Sequence, residues 1–265
     1  MSPSHGIQLR TPREIALLQK AGQVVAEAHR VAKKLVKPGA TTAEIDAAVE
    51  QFFEKQGAIP LFKGVPGKVP FPAVTCMSVN EEVVHGIPGP RVLAEGDVLS
   101  IDTGCKLEGW CGDAALTHPV GKIDAEVQRL LDVTKGTLDL AIEQMGVCSM
   151  WSEVAEQMAD YVHDAGFAVV EMFVGHGIGR GMHEEPQVPN FCSEHFRRSG
   201  DFRLEPGLVI AVEPMVNMGT KRVRAMPDHW TQSTADGQPS AHFEHTIAIT
   251  KDGPLVLTAG TDAED

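Results

Sequence analysis

The sequence is poor in cysteine and in long hydrophobic runs. Its five cysteines form no Cys-x-x-Cys pair, and an odd number without that spacing argues against a disulfide framework or a zinc ribbon. No segment approaches the roughly 18 consecutive apolar residues of a membrane span, and the first residues lack the basic and apolar regions of a secretory signal. We therefore predict reduced thiols and a cytoplasmic location without membrane contact.

Positive charge is also in short supply. The chain has 23 Lys+Arg against 36 Asp+Glu, a formal net charge of −13, which argues against binding to nucleic acid or to an anionic membrane. Its 265 residues, 43% of them hydrophobic, are enough to bury a substantial core in one large domain or in two fused halves. We expect a globular protein whose acidity suits cations and soluble peptides.

Helical patterns come first along the chain. Apolar residues recur at helical spacing after Thr11-Pro12, until Lys37-Pro38-Gly39 interrupts the pattern. Thr41 and Glu44 have the spacing of a capping box, which predicts a second helix that ends near Gly57. Two amphipathic helices are therefore expected before the first strand.

A proline-rich loop, strand-like stretches and two more helices follow. The segment 59–72 contains four prolines and two glycines, which predicts a surface loop. Helices are predicted at Ala125–Met145 and Trp151–Ala165, and strands at Val74–Ser78, Asp97–Thr103, Trp110–Thr117, Phe167–Val174, Leu208–Val212 and Phe243–Ile249. Two helices and then strands, repeated once, predict an α+β domain of two pseudo-symmetric halves, although no sequence repeat is detectable. The interface between the halves is a natural location for a site.

Five potential metal ligands lie within or at the edges of strand-like segments. They are Asp102, Asp113, His176, Glu213 and Glu244. Four carboxylates and one imidazole form a hard, oxygen-rich set, which suits two divalent cations sharing bridging carboxylates better than a thiolate-rich zinc site. The set therefore suggests a two-metal hydrolytic site.

Each of these residues also has a more ordinary interpretation. A turn at Lys106–Gly109 would bring Asp102 and Asp113 together in a hairpin, where they would repel each other unless cations or a proton intervened, but acidic residues in hairpins are often simply solvated. Glu213 and Glu244 follow or begin apolar runs and need a cation, an arginine or a proton.

His176 lies in Gly175-His-Gly-Ile-Gly179, where the glycines let the backbone and imidazole approach a ligand closely. This stretch lacks the G-x-G-x-x-G spacing of a dinucleotide loop, and a lone strand histidine is often structural. His85 and His183 lie beside turns, where they could bond a substrate amide or an oxyanion, or be ordinary surface histidines. His183-Glu-Glu-Pro-Gln187 is not the H-E-x-x-H of a zinc helix.

Over most of its length the chain resembles the type I methionine aminopeptidases, which have the pita-bread (creatinase/aminopeptidase) fold. The segments that carry this resemblance are Ser78-Val-Asn-Glu-Glu-Val-Val-His-Gly-Ile-Pro88, Ile101-Asp-Thr-Gly104, Gly112-Asp113, Gly175-His-Gly-Ile-Gly-Arg180, His183-Glu-Glu-Pro186, Val212-Glu-Pro-Met215 and Phe243-Glu-His-Thr246. The resemblance implies pseudo-two-fold halves, a central antiparallel sheet and outer helices. It also implies two divalent metal ions, whether Co, Mn, Fe or Zn.

The resemblance assigns a role to each ligand. Asp102 would chelate one metal, Asp113 and Glu244 would bridge both, and His176 and Glu213 would complete the second site. As a hypothesis, Glu213 is also the proton shuttle.

The resemblance also implies substrate contacts. His85 and His183 would contact the substrate backbone and the scissile carbonyl, His183 stabilising the oxyanion, and Trp230 would help to cover the side-chain pocket. The pocket segment departs from the family pattern, because Pro60–Pro72 is lengthened and lacks tyrosine, so that Phe62 and Phe71 are the candidate replacements. Met182 stands where the family often has an aromatic residue.

The expected function is removal of the N-terminal methionine from nascent proteins and peptides when the second residue is small. We expect a monomer with one catalytic domain, 1–265, with halves at about 1–122 and 123–265, which would meet the ribosome through its own surface. Two alternatives stay open: an X-Pro aminopeptidase or prolidase-like peptidase, and a non-enzymatic pita-bread binding protein. The second would be expected to have lost metal ligands, and none is missing.

Overall fold

The computed structural model describes residues 6–261, which form five helices and fifteen strands. The helices are α1 (Pro12–Lys33), α2 (Thr42–Gln56), α3 (Ala125–Gln144), α4 (Trp151–Asp164) and α5 (Glu194–Ser199). The first strands are β1 (Ile59–Pro60), β2 (Thr75–Val79), β3 (Glu82–Val84), β4 (Val98–Leu107), β5 (Trp110–Pro119), β6 (Ala168–Val169), β7 (Gly175–Gly177) and β8 (Glu184–Val188). The remaining strands are β9 (Val209–Val212), β10 (Met215–Asn217), β11 (Val223–Ala225), β12 (Gln232–Thr234), β13 (Ser240–His242), β14 (Glu244–Thr250) and β15 (Gly253–Val256).

The largest sheet has nine strands and joins both parts of the chain. Its order is β1-β4-β5-β14-β9-β7-β8, with β2 paired to β4 and β15 paired to β14, and the pairings are antiparallel. The pairing of β5 with β14 links the strands of the first half to those of the second. Two three-stranded sheets, β13-β10-β6 and β11-β12-β3, lie beside it.

Helix α1 packs closely against β5. Thr11 and Glu14 form a capping box at its start, and a Cβ at Gly22 would lie 2.5 Å from the Leu257 carbonyl oxygen. A Cβ at Gly112 of β5 would lie 2.7 Å from the Gly22 nitrogen. Gly112 therefore lets the backbones of helix and strand touch, and Gly22 lets the helix approach the segment that follows β15. Most of the apolar residues of α1 and α2 pack on the first-half strands, and those of α3 and α4 on the second-half strands.

The α+β prediction is confirmed, and the differences lie at element boundaries. Helix α1 ends at Lys33, four residues before the predicted stop, because the chain tightens into turns there. The strand predicted at Phe167–Val174 is reduced to Ala168–Val169, and the proline-rich loop contains the short strand β1. Helix α5 and several two- to five-residue strands were not predicted. No helix within residues 6–261 is long and apolar enough to cross a membrane.

Candidate active site

The β4–β5 hairpin positions the two aspartates. A two-residue turn at Glu108 and Gly109, both with positive φ, joins the strands. The twist of such a turn matches the right-handed twist of the two strands in a tight hairpin. Asp113 lies opposite Gly104 rather than opposite Asp102, so the two carboxylates are diagonal neighbours on one face. A Cβ at position 104 would lie 2.8 Å from the Asp113 Oδ1 atom, so this glycine makes room for the carboxylate.

The neighbouring strands bring in the other three ligands. Ala115 on β5 lies opposite both Asp102 on β4 and Glu244 on β14, so these residues form a row across three strands. His176 on β7 lies opposite a residue of β9, and Glu213 directly follows β9. The side chains come from sequence positions far apart, and the antiparallel register is what places them together.

Short distances connect the five groups. The Nε2 atom of His176 lies 3.9 Å from an Asp113 oxygen and 3.7 Å from a Glu213 oxygen. Potential ligand atoms of Asp113, His176 and Glu244 all lie within 4.8 Å of one another, and Asp102 lines the same cavity. His176 Nδ1 lies 2.9 Å from the Gly177 carbonyl oxygen; as the donor of that bond it leaves Nε2 facing the carboxylates with a free lone pair.

The carboxylates of the cluster are buried close together, which makes their negative charges unfavourable without cations. Oδ1 of Asp102, Oδ1 of Asp113 and Oε1 of Glu244 are buried without a hydrogen-bond partner among the described residues. Burial raises the pKa of Asp113 to about 7 and raises the pKa values of Asp102, Glu213 and Glu244 well above their usual range, and neighbouring carboxylates raise those three further. Buried like charges are costly unless compensated, and divalent cations would compensate them. The donor set therefore fits the divalent metals expected from the sequence.

All ten predicted site residues line one cavity of about 200 Å³. Its lining consists of Phe62, Val65, Phe71, Cys76, His85, Asp102, Asp113, His176, Met182, His183, Glu213, Trp230 and Glu244. The volume is below the roughly 300–1,000 Å³ of pockets for drug-sized ligands and suits a single side chain. A space of about 560 Å³ adjoins it and shares five lining residues, which leaves room for more of a peptide.

Two further histidines, His85 and His183, line the same cavity. The ring centroids of His183 and His176 are 4.4 Å apart and the rings are edge to face. Burial lowers the pKa of His85 to about 4 and lowers the pKa of His183. Both imidazoles are therefore neutral near pH 7, and each carries one N–H to donate. His85 has a φ of 61°, a strained region for a residue with a side chain, and such strain is common at functional sites.

Four features of the site were not assigned as such from sequence. Val65 belongs to the proline-rich loop, where no periodicity identifies inward-facing residues. Cys76 lies opposite Asp102 on β2, so a predicted register would have found it. His242 Nε2 lies 3.9 Å from a Glu213 oxygen, and its position two residues before Glu244 was the available signal. Phe71 was only a candidate replacement; it packs edge to face with Trp230, at 5.2 Å between centroids.

Comparison with known proteins agrees with this geometry. Residues 16–251 match the family described as metallopeptidase family M24. The chain is 47% identical to methionine aminopeptidase 1 of Bacillus subtilis over 94% of this chain and 98% of that protein. It is 45% identical to methionine aminopeptidase of Clostridium perfringens over 95% of this chain and 98% of that protein.

Solved structures extend the comparison to the fold. The crystal structure of methionine aminopeptidase from Thermotoga maritima has a TM-score of 0.89 and 41% identity, covering 95% of this chain and 99% of that one. A prolidase from Pyrococcus furiosus has a TM-score of 0.74 but 19% identity, and this chain covers 66% of it, so that likeness concerns the pita-bread fold alone. These relatives support neither the X-Pro peptidase nor the non-enzymatic alternative. The chain belongs to metallopeptidase family M24 and, within it, to the methionine aminopeptidases.

Proposed function

We propose that this protein removes the N-terminal methionine from proteins and peptides whose second residue is small, using two divalent metal ions. The observation that carries the proposal is a small cavity lined both by four carboxylates and the His176 imidazole and by an apolar cluster that includes Phe62 and Trp230. Such a cavity would place metal ions beside a pocket for one unbranched side chain.

The five ligands divide between two ions in the proposal. Asp102 would hold one ion, Asp113 and Glu244 would be shared by both, and His176 and Glu213 would hold the second. The unpartnered buried oxygens of three of these carboxylates support the assignment. Mn, Fe, Co and Zn all suit an oxygen-rich donor set with one imidazole. When bound, the ions would supply Lewis acidity, which makes a water easier to deprotonate and polarises a carbonyl oxygen.

The remaining polar residues act on the peptide and its protons. Glu213 accepts the proton of the attacking water and passes it to the leaving amine. Neutral His183 donates its N–H to the oxygen of the scissile carbonyl as negative charge develops there, and neutral His85 donates to the substrate backbone. Phe62, Met182 and Trp230 surround the methionine side chain and exclude water from it; the flexible thioether of Met182 adapts to that of the substrate.

Residues 1–265 form one catalytic domain in this proposal, with halves at about 1–122 and 123–265. The pairing of β5 with β14 supports a single domain, because one continuous sheet crosses the boundary between the halves. The expected partners are N-termini of nascent polypeptides in the cytoplasm, and the expected state is a monomer. The ribosome would be met through the surface of the domain itself, with neither nucleic acid nor membrane bound directly.

The test compares two substrates with and without a chelator. Met-Ala-Ser should be hydrolysed to Met and Ala-Ser, a Gly-Pro peptide should not, and turnover should stop in chelator and return when Mn, Fe, Co or Zn is added. Cleavage of the Gly-Pro peptide instead would identify an X-Pro peptidase. If the protein binds metal but hydrolyses neither peptide with any of the four metals, the result would favour a non-enzymatic binding protein.

A further inference from the structure

A loop at residues 61–72, here called the pocket loop, forms one wall of the apolar pocket. Two backbone hydrogen bonds close its base: the Gly64 nitrogen donates to the Phe71 oxygen at 2.8 Å, and the Phe71 nitrogen donates to the Val65 oxygen at 3.0 Å. The tip, residues 66–70, extends beyond this base and is exposed. Because Val65 and Phe71 flank the tip and line the cavity, the position of the tip affects the shape of the pocket.

Trp230 contacts the tip in two ways. Its indole Nε1 donates a hydrogen bond to the Val69 carbonyl oxygen at 2.7 Å. Its six-membered ring lies against Gly67, where an added Cβ would be 2.6 Å from Cζ2 and 3.1 Å from Cη2. A side chain at position 67 would therefore displace either the indole or the tip.

The turn that carries Trp230 is itself well supported. It connects β11 to β12, and the backbone nitrogens of Trp230 and Thr231 donate to one oxygen of Asp228 at 3.0 and 2.9 Å. Strand β12 pairs with β3, which leads directly to His85. The indole is therefore held by the same framework as the substrate-binding histidine.

We propose that Trp230, Gly67 and Val69 form a latch that fixes the pocket loop and thereby determines which N-terminal side chain the enzyme accepts. This proposal rests on the proposed function and deepens it. The loop contributes Phe62, Val65 and Phe71 to the cavity lining, so a loop held in one place gives a pocket of fixed size. A released loop would leave a wider and less complementary pocket, in which methionine loses its advantage over branched residues.

Substitution Gly67→Ala tests the latch with the smallest available change. We expect KM for Met-Ala-Ser to rise about tenfold with kcat within about twofold, because binding rather than chemistry is weakened. The preference for Met-Ala-Ser over Leu-Ala-Ser should fall by about tenfold. Gly89→Ala is the matched control: it adds the same methyl group 3.9 Å from the Ile87 carbonyl oxygen, an ordinary contact, and it should leave both quantities unchanged.

Limited trypsin digestion reports on the loop without any measurement of activity. Lys68 lies in the exposed tip, between Gly67 and Val69. Cleavage after Lys68 should be slow in the wild type and at least about fivefold faster in Gly67→Ala, with cleavage elsewhere unchanged, because local opening exposes that bond. Faster cleavage at all sites would mean global unfolding.

Trp230→Phe provides a second variant if Gly67→Ala fails to fold. It removes the Nε1 donor together with Cζ2 and Cη2, so it should reproduce the loss of selectivity and the faster cleavage after Lys68. Adding Gly67→Ala to Trp230→Phe should then have little further effect, since the clashing atoms are absent.

The proposal is overturned if Gly67→Ala and Trp230→Phe both keep wild-type selectivity and wild-type cleavage at Lys68, or if their effects multiply in the double variant. A wild-type protein that fails to cleave Met-Ala-Ser would refute the proposed function instead. The trypsin comparison would still decide in that case whether the latch holds the loop.

Discussion

At the scale of single residues, the sequence indicated which residues are candidates for the site better than it indicated which residues lie next to them in the sheet. The five metal-ligand candidates and the two histidines were identifiable because carboxylates and imidazoles within apolar or glycine-rich segments need a special reason to be there. The register was not predictable: Asp113 lies opposite Gly104, and that glycine is required by the carboxylate it faces. Val65 only shapes the apolar wall and carries no distinctive chemistry, and Cys76 was interpreted only as a reduced thiol, so neither was assigned to the site.

Glu244→Gln removes the negative charge of this side chain at the candidate metal centre and keeps its size. We expect bound metal after dialysis to fall below two ions per chain and turnover to fall by at least about 100-fold, because a bridging carboxylate becomes a weaker neutral ligand. Elemental analysis and Met-Ala-Ser kinetics measure the two effects. The metal-free variant should also melt at a higher temperature near pH 8 than the metal-free wild type, since burial and neighbouring carboxylates make the Glu244 charge unfavourable.

Glu143→Gln is the control for this prediction, because Glu143 is exposed on α3. It should behave as the wild type in all three measurements. A Glu244→Gln protein with full metal content and full turnover would remove Glu244 from the site.

At the scale of elements, the long helices were predictable and the short strands were not. Thr41 and Glu44 form the capping box that their spacing indicated, and α2 ends at Gly57, which adopts a left-handed conformation. Helices of four or five turns show a clear apolar period, whereas a three-residue strand such as β7 is too short to show one. Asp102, Asp113 and Glu244 lie on strands of seven to ten residues, but the other candidate site residues on strands lie on or beside strands of three to five residues. For those short strands the local pattern does not indicate which strands pair.

The turn between β7 and β8, which carries His183, is anchored by Arg10. The Arg10 guanidinium forms an ion pair with Glu184 and lies 5.5 Å from the Trp110 ring centroid, while the Arg180 guanidinium lies 4.4 Å from that centroid. The other Glu184 oxygen accepts a hydrogen bond from the Gly181 nitrogen at 2.9 Å. One arginine therefore fixes the segment next to a proposed catalytic histidine.

Arg10→Met should loosen this turn. We expect the free energy of unfolding to fall by about 3 kcal/mol, because Glu184 loses the partner of a largely buried ion pair. The kcat for Met-Ala-Ser should fall by about tenfold as His183 loses its fixed position. Denaturant titration and steady-state kinetics measure the two effects, and Arg13→Met, at an exposed position on α1, is the control. An unchanged kcat in Arg10→Met would show that the ion pair between Arg10 and Glu184 does not affect catalysis.

At the scale of the whole molecule, the metal-free protein should respond to pH with a definite sign. The pKa of Asp113 is raised from 3.8 to about 7, so between these values the folded chain holds more protons than the unfolded chain, and its stability falls as pH rises. The pKa values of His85 and His176 are lowered from 6.5 to about 4, which makes stability rise with pH up to about 6.5. An unfolded histidine is still half protonated at pH 6.5, so the opposing effect fades above that pH and the carboxylates with raised pKa values then dominate the trend.

The melting temperature of the metal-free protein should therefore fall between pH 6.5 and pH 8. Scanning calorimetry in chelator measures this fall, and the same scans with saturating metal should show a much weaker dependence, because bound cations neutralise the carboxylates. A metal-free protein that melts at a higher temperature at pH 8 than at pH 6.5 would contradict the raised carboxylate pKa values.

The pairing of β5 with β14 limits which sequence changes such a molecule can tolerate. This pairing lies within the candidate site, with Asp102 and Asp113 on one side of it and Glu244 on the other. Each cation would therefore bind carboxylates from both sides of the pairing. A sequence change that shifts one side against the other would separate these carboxylates, and would therefore weaken metal binding as well as packing.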